Sequence, residues 1–264
     1  MESGKEEKIE RATVRTMENT IEKSKGMLAV WALFSRSSFY GILAVLFLMT
    51  AAECLSFYAV LHGSGQTDML EMMIDKSLAA AFFLTALGLI FFIQIWAAGR
   101  MDRKSRYTLM RLKLSKTQFF LLRTGYHVLC LTSLFAVQVC VILWMAWMYE
   151  KTFAPVSPSG QLLFLAFYRN EFLHSLLPMA ETGKWVRCVL LILAFGIEAG
   201  FQEKNRVAGQ VGMFVLTACW FVSPVGMWYG DVICCVTYGI VIGMDLLQAG
   251  LFQRKERDCG HSIR

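Results

Sequence analysis

With 264 residues, 56% of them apolar and only 17% charged, the chain gathers its charges into blocks separated by long apolar runs, which excludes an ordinary evenly solvated surface. The net charge of +6 would suit a nucleic-acid binder, but no binding motif accompanies the basic blocks, so anionic lipid headgroups are their expected counter-charge. Seven of the eight cysteines (Cys54, Cys130, Cys140, Cys188, Cys219, Cys234 and Cys235) lie inside apolar runs and no C-x-x-C occurs, which argues against a disulfide framework, a zinc site or a redox pair.

The amino-terminal segment, residues 1–37, opens with Lys5, Glu6, Glu7, Lys8, Glu10 and Arg11 and has no apolar core of its own near the start, so no cleaved signal peptide is expected. Val14, Met17, Ile21 and Leu28 recur at helical spacing among charges, the pattern of an amphipathic helix lying on a membrane surface; a partly disordered tail is the rival reading. Phe39 to Leu61 and Ser77 to Ala98 then exceed the ~18 apolar residues that mark a membrane span.

Between the second and third spans, Gly99 to Arg123 is strongly basic. Leu109 and Leu112 share one face of a short helix there, Arg106, Arg111 and Lys113 cover the rest, and Ser115 followed by Gln118 has the form of a capping box that opens the next helix. Such a knob suits docking to another protein, and a solvated anchor that only sets topology is the alternative. The third span is Thr124 to Met148. The long segment that follows, Tyr149 to Lys184, holds Pro155, Pro158 and Pro178 around Q-L-L-F-L-A-F-Y-R-N-E-F-L-H-S-L-L, too interrupted to span and too apolar for water, so an interfacial or re-entrant helix is expected with Tyr168 and His174 at headgroup depth.

Trp185 to Phe201, Val207 to Val225 and Met227 to Phe252 complete a six-span path, and residues 253–264 form a basic tail. Pro224 and the turn around Gly226 to Gly230 make the last two spans antiparallel neighbours. Gly239 and Gly243 form a G-x-x-x-G that would admit another helix. Lysine and arginine favour the cytoplasmic side of spans, and only a path with both termini in the cytoplasm places the amino-terminal segment, the loop carrying Arg100 to Arg123, the link with Lys204 and Arg206, and the tail on that one side.

No H-E-x-x-H, G-x-S-x-G, P-loop or dinucleotide fingerprint occurs, and the four histidines are scattered, so no catalytic, cofactor-binding or metal-ligating residues are assigned and any ATP hydrolysis would sit on a partner. The acids within spans are Glu53, Glu198 and Asp245. A charge near the bilayer centre costs at least ~2.5 kcal/mol on insertion scales, so Glu53, in the outer half of the first span, should face protein or an aqueous path. Glu198 and Asp245, near the inner ends of their spans, are expected to surface at the interface.

With M-L-A-V-W-A-L-F-S-R-S-S-F-Y-G at the entry to the first span, T-L-M-R-L-K-L-S-K-T-Q in the loop after the second, and six spans with both ends inside, the chain resembles the permease subunits of type-2 ATP-binding-cassette exporters, in particular the small six-span permeases of Gram-positive bacteria. Where many members carry a re-entrant hairpin between the last two spans, this chain has a tight turn. The resemblance implies an all-α polytopic protein of the cell membrane whose six-span domain, residues 38–252, pairs with a second permease chain and lines a translocation path. It also implies that the loop around Arg106 to Ser115 docks on a separate ATPase. A non-transporting accessory, immunity or sensor protein that only binds a partner is the competing expectation.

Overall fold

The computed structural model describes residues 32, 38–63, 69–99, 116–153, 161–177, 182–200, 211–215, 217–218 and 228–261, and among these every regular element is helical. Helix α1 (Ser38–Gly63) is mostly apolar, and its inward stripe is Ile42, Met49, Glu53, Phe57 and Leu61, at the spacing that keeps side chains on one helical face. Phe47, Leu48, Leu55 and Tyr58 point outward and remain exposed, as they would toward lipid.

Helix α2 (Leu70–Lys76), absent from the expectation for the segment after the first span, forms because Leu70, Met73 and Ile74 bury on one side while Glu71 and Lys76 face out near its two ends. It ends at Ser77–Leu78, and α3 (Ala79–Gly99) leaves at 48° to it. Leu78 makes this corner with φ of 57°, in the left-handed region that costs an L-residue roughly 1–2 kcal/mol. Two hydroxyls hold the corner. Ser56 of α1 donates to the Ser77 carbonyl at 2.8 Å, and the Ser77 hydroxyl donates to the Ile74 carbonyl at 2.7 Å.

Helix α4 (Lys116–Phe153) runs unbroken for 38 residues, well beyond the expected third span at both ends. The outer segment forms two short helices in place of one: α5 (Gln161–Arg169) and α6 (Glu171–Leu176), separated by Asn170. The Asn170 side chain accepts from the Leu173 N–H at 3.0 Å and donates to Asp75 of α2 at 2.7 Å, so one residue both caps α6 and ties it to α2. Phe172 packs its ring against Phe83 of α3 with centroids 5.7 Å apart. Tyr168 is exposed, whereas His174 is buried beneath it with the rings in edge contact.

Helix α7 (Thr182–Gly200) packs against both α4 and α8 (Trp228–His261), and residues 211–215 and 217–218 are helical between them. The relative directions follow from pairs of contacts. Ser38 meets Tyr126 and Glu53 meets Gln138, so α1 and α4 run parallel. Ser56 meets Ser77 at one end and Gly41 lies against Ile93 at the other, so α3 runs antiparallel to α1. Gly196 lies against Val128 and Gly200 against Phe120, so α7 is antiparallel to α4.

By length and composition, α1, α4 and the Trp228–Leu247 part of α8 can each cross a membrane, and α2 with α3 can make a fourth crossing if the bent pair counts as one. The amino-terminal amphipathic pattern and residues 100–115 of the basic loop, including Arg106, Leu109, Arg111, Leu112, Lys113 and Ser115, lie outside the described residues.

Candidate functional site

The buried stripe of α4 is not uniformly apolar. Arg123, His127, Leu131, Leu134, Gln138, Ile142 and Met145 recur at three- and four-residue steps, and all are buried. Three of these seven are polar or charged, and each faces the neighbouring helices where an apolar residue would pack at no cost. Arg123 is 2% exposed and His127 5%.

At the level of Gln138 the polar stripe meets α1. The Gln138 amide donates to one carboxylate oxygen of Glu53 at 3.0 Å, and both residues are completely buried. The other Glu53 oxygen and the Gln138 carbonyl oxygen are buried with no hydrogen-bond partner from the chain. Desolvating a polar group without a hydrogen bond costs about 1–3 kcal/mol in proteins. Such a pair is therefore expensive as mere packing.

The second level lies near the amino-terminal end of α4. Phe83 stacks edge-on with Phe135, so the antiparallel run of α3 brings Gln94 level with the first turns of α4, beside Arg123 and Tyr126 in height. Gln94 is 1% exposed, and neither its amide nitrogen nor its oxygen has a partner. Both ring nitrogens of His127, one terminal nitrogen of Arg123 and the hydroxyl of Thr124 share that condition. Tyr126 and Ser38 close one side of this layer with a 2.7 Å hydroxyl pair, and Phe91 closes another by packing edge-on to Phe195 of α7 at 5.0 Å.

The α7 contact is close because of two glycines. A Cβ on Gly196 would stand 2.4 Å from a methyl of Val128, and one on Gly200 would stand 2.4 Å from the Thr124 hydroxyl. Gly196 and Gly200 therefore form the G-x-x-x-G at which helices of this chain meet. At Gly239 and Gly243, the other G-x-x-x-G, a Cβ would meet nothing within 4 Å among the described residues.

Glu53 is buried against α4, with its carboxylate at Gln138. Glu198 and Asp245 are both buried, and each has a partner of its own. Arg187, near the start of α7, reaches a partner group: it makes a buried ion pair with Asp231 of α8 at 2.6 Å. Arg123, His127, Gln94 and Gln138 escaped sequence reasoning. Arg123 was absorbed into the count of loop charges and His127 into a set of scattered histidines. The available signal was spacing, since Arg123, His127 and Gln138 share one stripe of a helix otherwise built to bury apolar groups.

Among the described residues no three His, Cys, Asp or Glu side chains converge as a metal site, and Cys54, Cys130, Cys140, Cys188, Cys234 and Cys235 are free thiols. Comparison with known protein families, with curated proteins and with solved structures finds no match for this chain.

Proposed function

We propose that this chain is the membrane-spanning subunit of an ATP-driven exporter in the cell membrane, crossing six times with both termini in the cytoplasm. Two permease chains would pair in the bilayer and a separate ATPase would engage the loop from Arg106 to Ser115. The observation that carries the reading is the polar stripe of α4, joined by Glu53 and Gln94, inside a bundle whose outward face is apolar. A bundle that served only as an anchor would gain nothing from burying a carboxylate, a guanidinium, an imidazole and two amides, each with unmet hydrogen-bonding capacity. A path for a polar or charged solute requires such groups.

The alternating directions of α1, α3, α4 and α7 support the six-span path, with 211–218 inside the fifth span and α5–α6 as the outer interfacial element. The docking role is tested by replacing Leu109 and Leu112 with Asp. This introduces unpaired charge into any apolar contact they make, so copurification of the ATPase should be lost while membrane insertion is normal. Wild-type copurification with normal insertion refutes the docking and leaves the loop as a positive-inside anchor, in keeping with an accessory or sensor protein.

A further inference from the structure

The end of the bundle where α4 begins holds an unusual charge. Arg123 is buried to 2% exposure, yet it makes no ion pair and no hydrogen bond among the described residues, and one of its terminal nitrogens is fully enclosed without a partner. The chain does pair a buried arginine elsewhere: Arg187 meets Asp231 at 2.6 Å. Among the described residues, Glu198 of α7 is level with the start of α4 by the register that Gly196 and Val128 set, and it has a partner of its own.

The groups around Arg123 repeat the deficit. His127, one turn along the same stripe, has both ring nitrogens enclosed and unpartnered, and one of them must carry a hydrogen in any neutral tautomer. Gln94, level with it on α3, has an unused amide. The hydroxyls of Thr85, Thr132, Thr152, Thr217 and Thr237 each fold back onto the carbonyl four residues earlier, at 2.7 to 2.9 Å. The Thr124 hydroxyl makes no such bond and stays enclosed beside Gly200, where the missing side chain leaves it room.

A guanidinium offers five N–H donors and no acceptor, so the local surplus is one of donors and positive charge. Such a surplus is matched by an oxyanion with several acceptor oxygens, and a phosphate-type group accepts from a guanidinium fork and from further donors at once.

We propose that Arg123, with His127, Gln94 and Thr124 around it, forms a binding site for a phosphate-type oxyanion between α3, α4 and α7. The occupant is either the headgroup of an anionic lipid or a soluble phosphate. Geometry admits the lipid: α4 is about 57 Å long at 1.5 Å per residue against a hydrocarbon core of ~30 Å, so its first turns need not lie in hydrocarbon. The site does not depend on the chain being an exporter subunit; only its placement at the cytoplasmic face rests on the proposed orientation.

The test uses the purified full chain in nanodiscs, with thermal unfolding as the readout. One arm compares discs of phosphatidylcholine with discs containing phosphatidylglycerol, and the other adds inorganic phosphate to the neutral discs. The wild type should gain about 5 °C or more in one arm at ligand far above Kd. A gain only with phosphatidylglycerol assigns the lipid source, and a gain with inorganic phosphate assigns the soluble one. Arg123→Gln should lose the gain, yet in neutral discs without phosphate it should unfold no lower than the wild type, because it removes an unpaired buried charge. Arg123→Lys and His127→Gln should each keep a weakened gain, and they carry the test if Arg123→Gln fails to accumulate. Three results overturn the proposal: no gain in either arm for the wild type, a full gain in Arg123→Gln, or undiminished gains in both Arg123→Lys and His127→Gln.

Discussion

Alanine at four glycines of this chain should have effects of opposite sign, set by what each new methyl meets. In a helix interior, Gly→Ala stabilises by roughly 0.5–1 kcal/mol, because glycine loses more backbone freedom on folding. At Gly239 and Gly243 nothing lies within 4 Å of the added carbon, so that gain should appear almost undiminished. At Gly196 the methyl would stand 2.4 Å from Val128 Cγ2, with the Val128 backbone nitrogen at 3.4 Å and the Thr124 carbonyl oxygen at 3.5 Å. Valine in a helix is held to essentially one rotamer, so it cannot swing away and α7 must shift from α4. Overpacking of this kind costs about 1–3 kcal/mol, which leaves Gly196→Ala destabilised by roughly 0–2.5 kcal/mol after the backbone gain. Gly200→Ala should fall between, because the clashing Thr124 hydroxyl turns more easily than a valine methyl, although the Phe120 ring at 3.0 Å limits the relief. Equilibrium unfolding in mixed micelles reads all four variants against the wild type. If Gly196→Ala proves as stable as Gly239→Ala, the close approach of α7 to α4 is wrong.

Breaking the buried Arg187–Asp231 pair on one side, as in Asp231→Leu, should cost about 3–5 kcal/mol, whereas the double variant Arg187→Met with Asp231→Leu should recover most of it; a double variant as unstable as the single one would deny the pairing. Asn170→Ala removes the α6 cap and the tie to Asp75, so a loss of about 1–2 kcal/mol and faster proteolytic cleavage near residue 170 are expected, and unchanged cleavage would count against the tie. Glu53→Leu should insert normally but leave Gln138 without its acceptor, at a cost of about 1–3 kcal/mol and with reduced transport, while Glu53→Gln should be milder in stability; equal stability of Glu53→Leu and wild type would show the pair to be idle. A reporter active only outside the membrane, fused to the carboxyl terminus, should stay silent under the proposed orientation, and a strong signal would reverse it.

Long apolar runs made α1, α3, α4 and α8 readable from sequence, because a helix that buries its backbone in hydrocarbon needs little else to declare itself. The corner at Leu78 was not readable, since a leucine with positive φ is set by neighbours such as Ser56 and carries no local mark. Likewise the break of the outer segment at Asn170 depends on Asp75, nearly a hundred residues earlier, as a hydrogen-bond partner. Glu53 stood out because a carboxylate in an apolar run is conspicuous. Gln94 and Gln138 did not, because an amide carries no charge and raises less alarm, although its enclosed atoms also cost stability when unpaired. The two G-x-x-x-G patterns were equal as letters; only packing separates Gly196 and Gly200 from Gly239 and Gly243.

The unbroken length of α4 has a mechanical consequence. No proline interrupts its 38 residues, and the same rod carries Arg123 near one end, Gln138 beside Glu53 farther along, and the carboxyl-terminal turn at Phe153. Since every turn is hydrogen-bonded to the next, the rod has no joint at which to absorb a push. A tilt of its first turns about a fulcrum near Gln138 therefore swings the far end the opposite way, as an oar turns in its rowlock. The Arg123 level and the Phe153 end, each about 22 Å from Gln138 along the axis at 1.5 Å per residue, are thus the two arms of one lever that turns about the Glu53 contact.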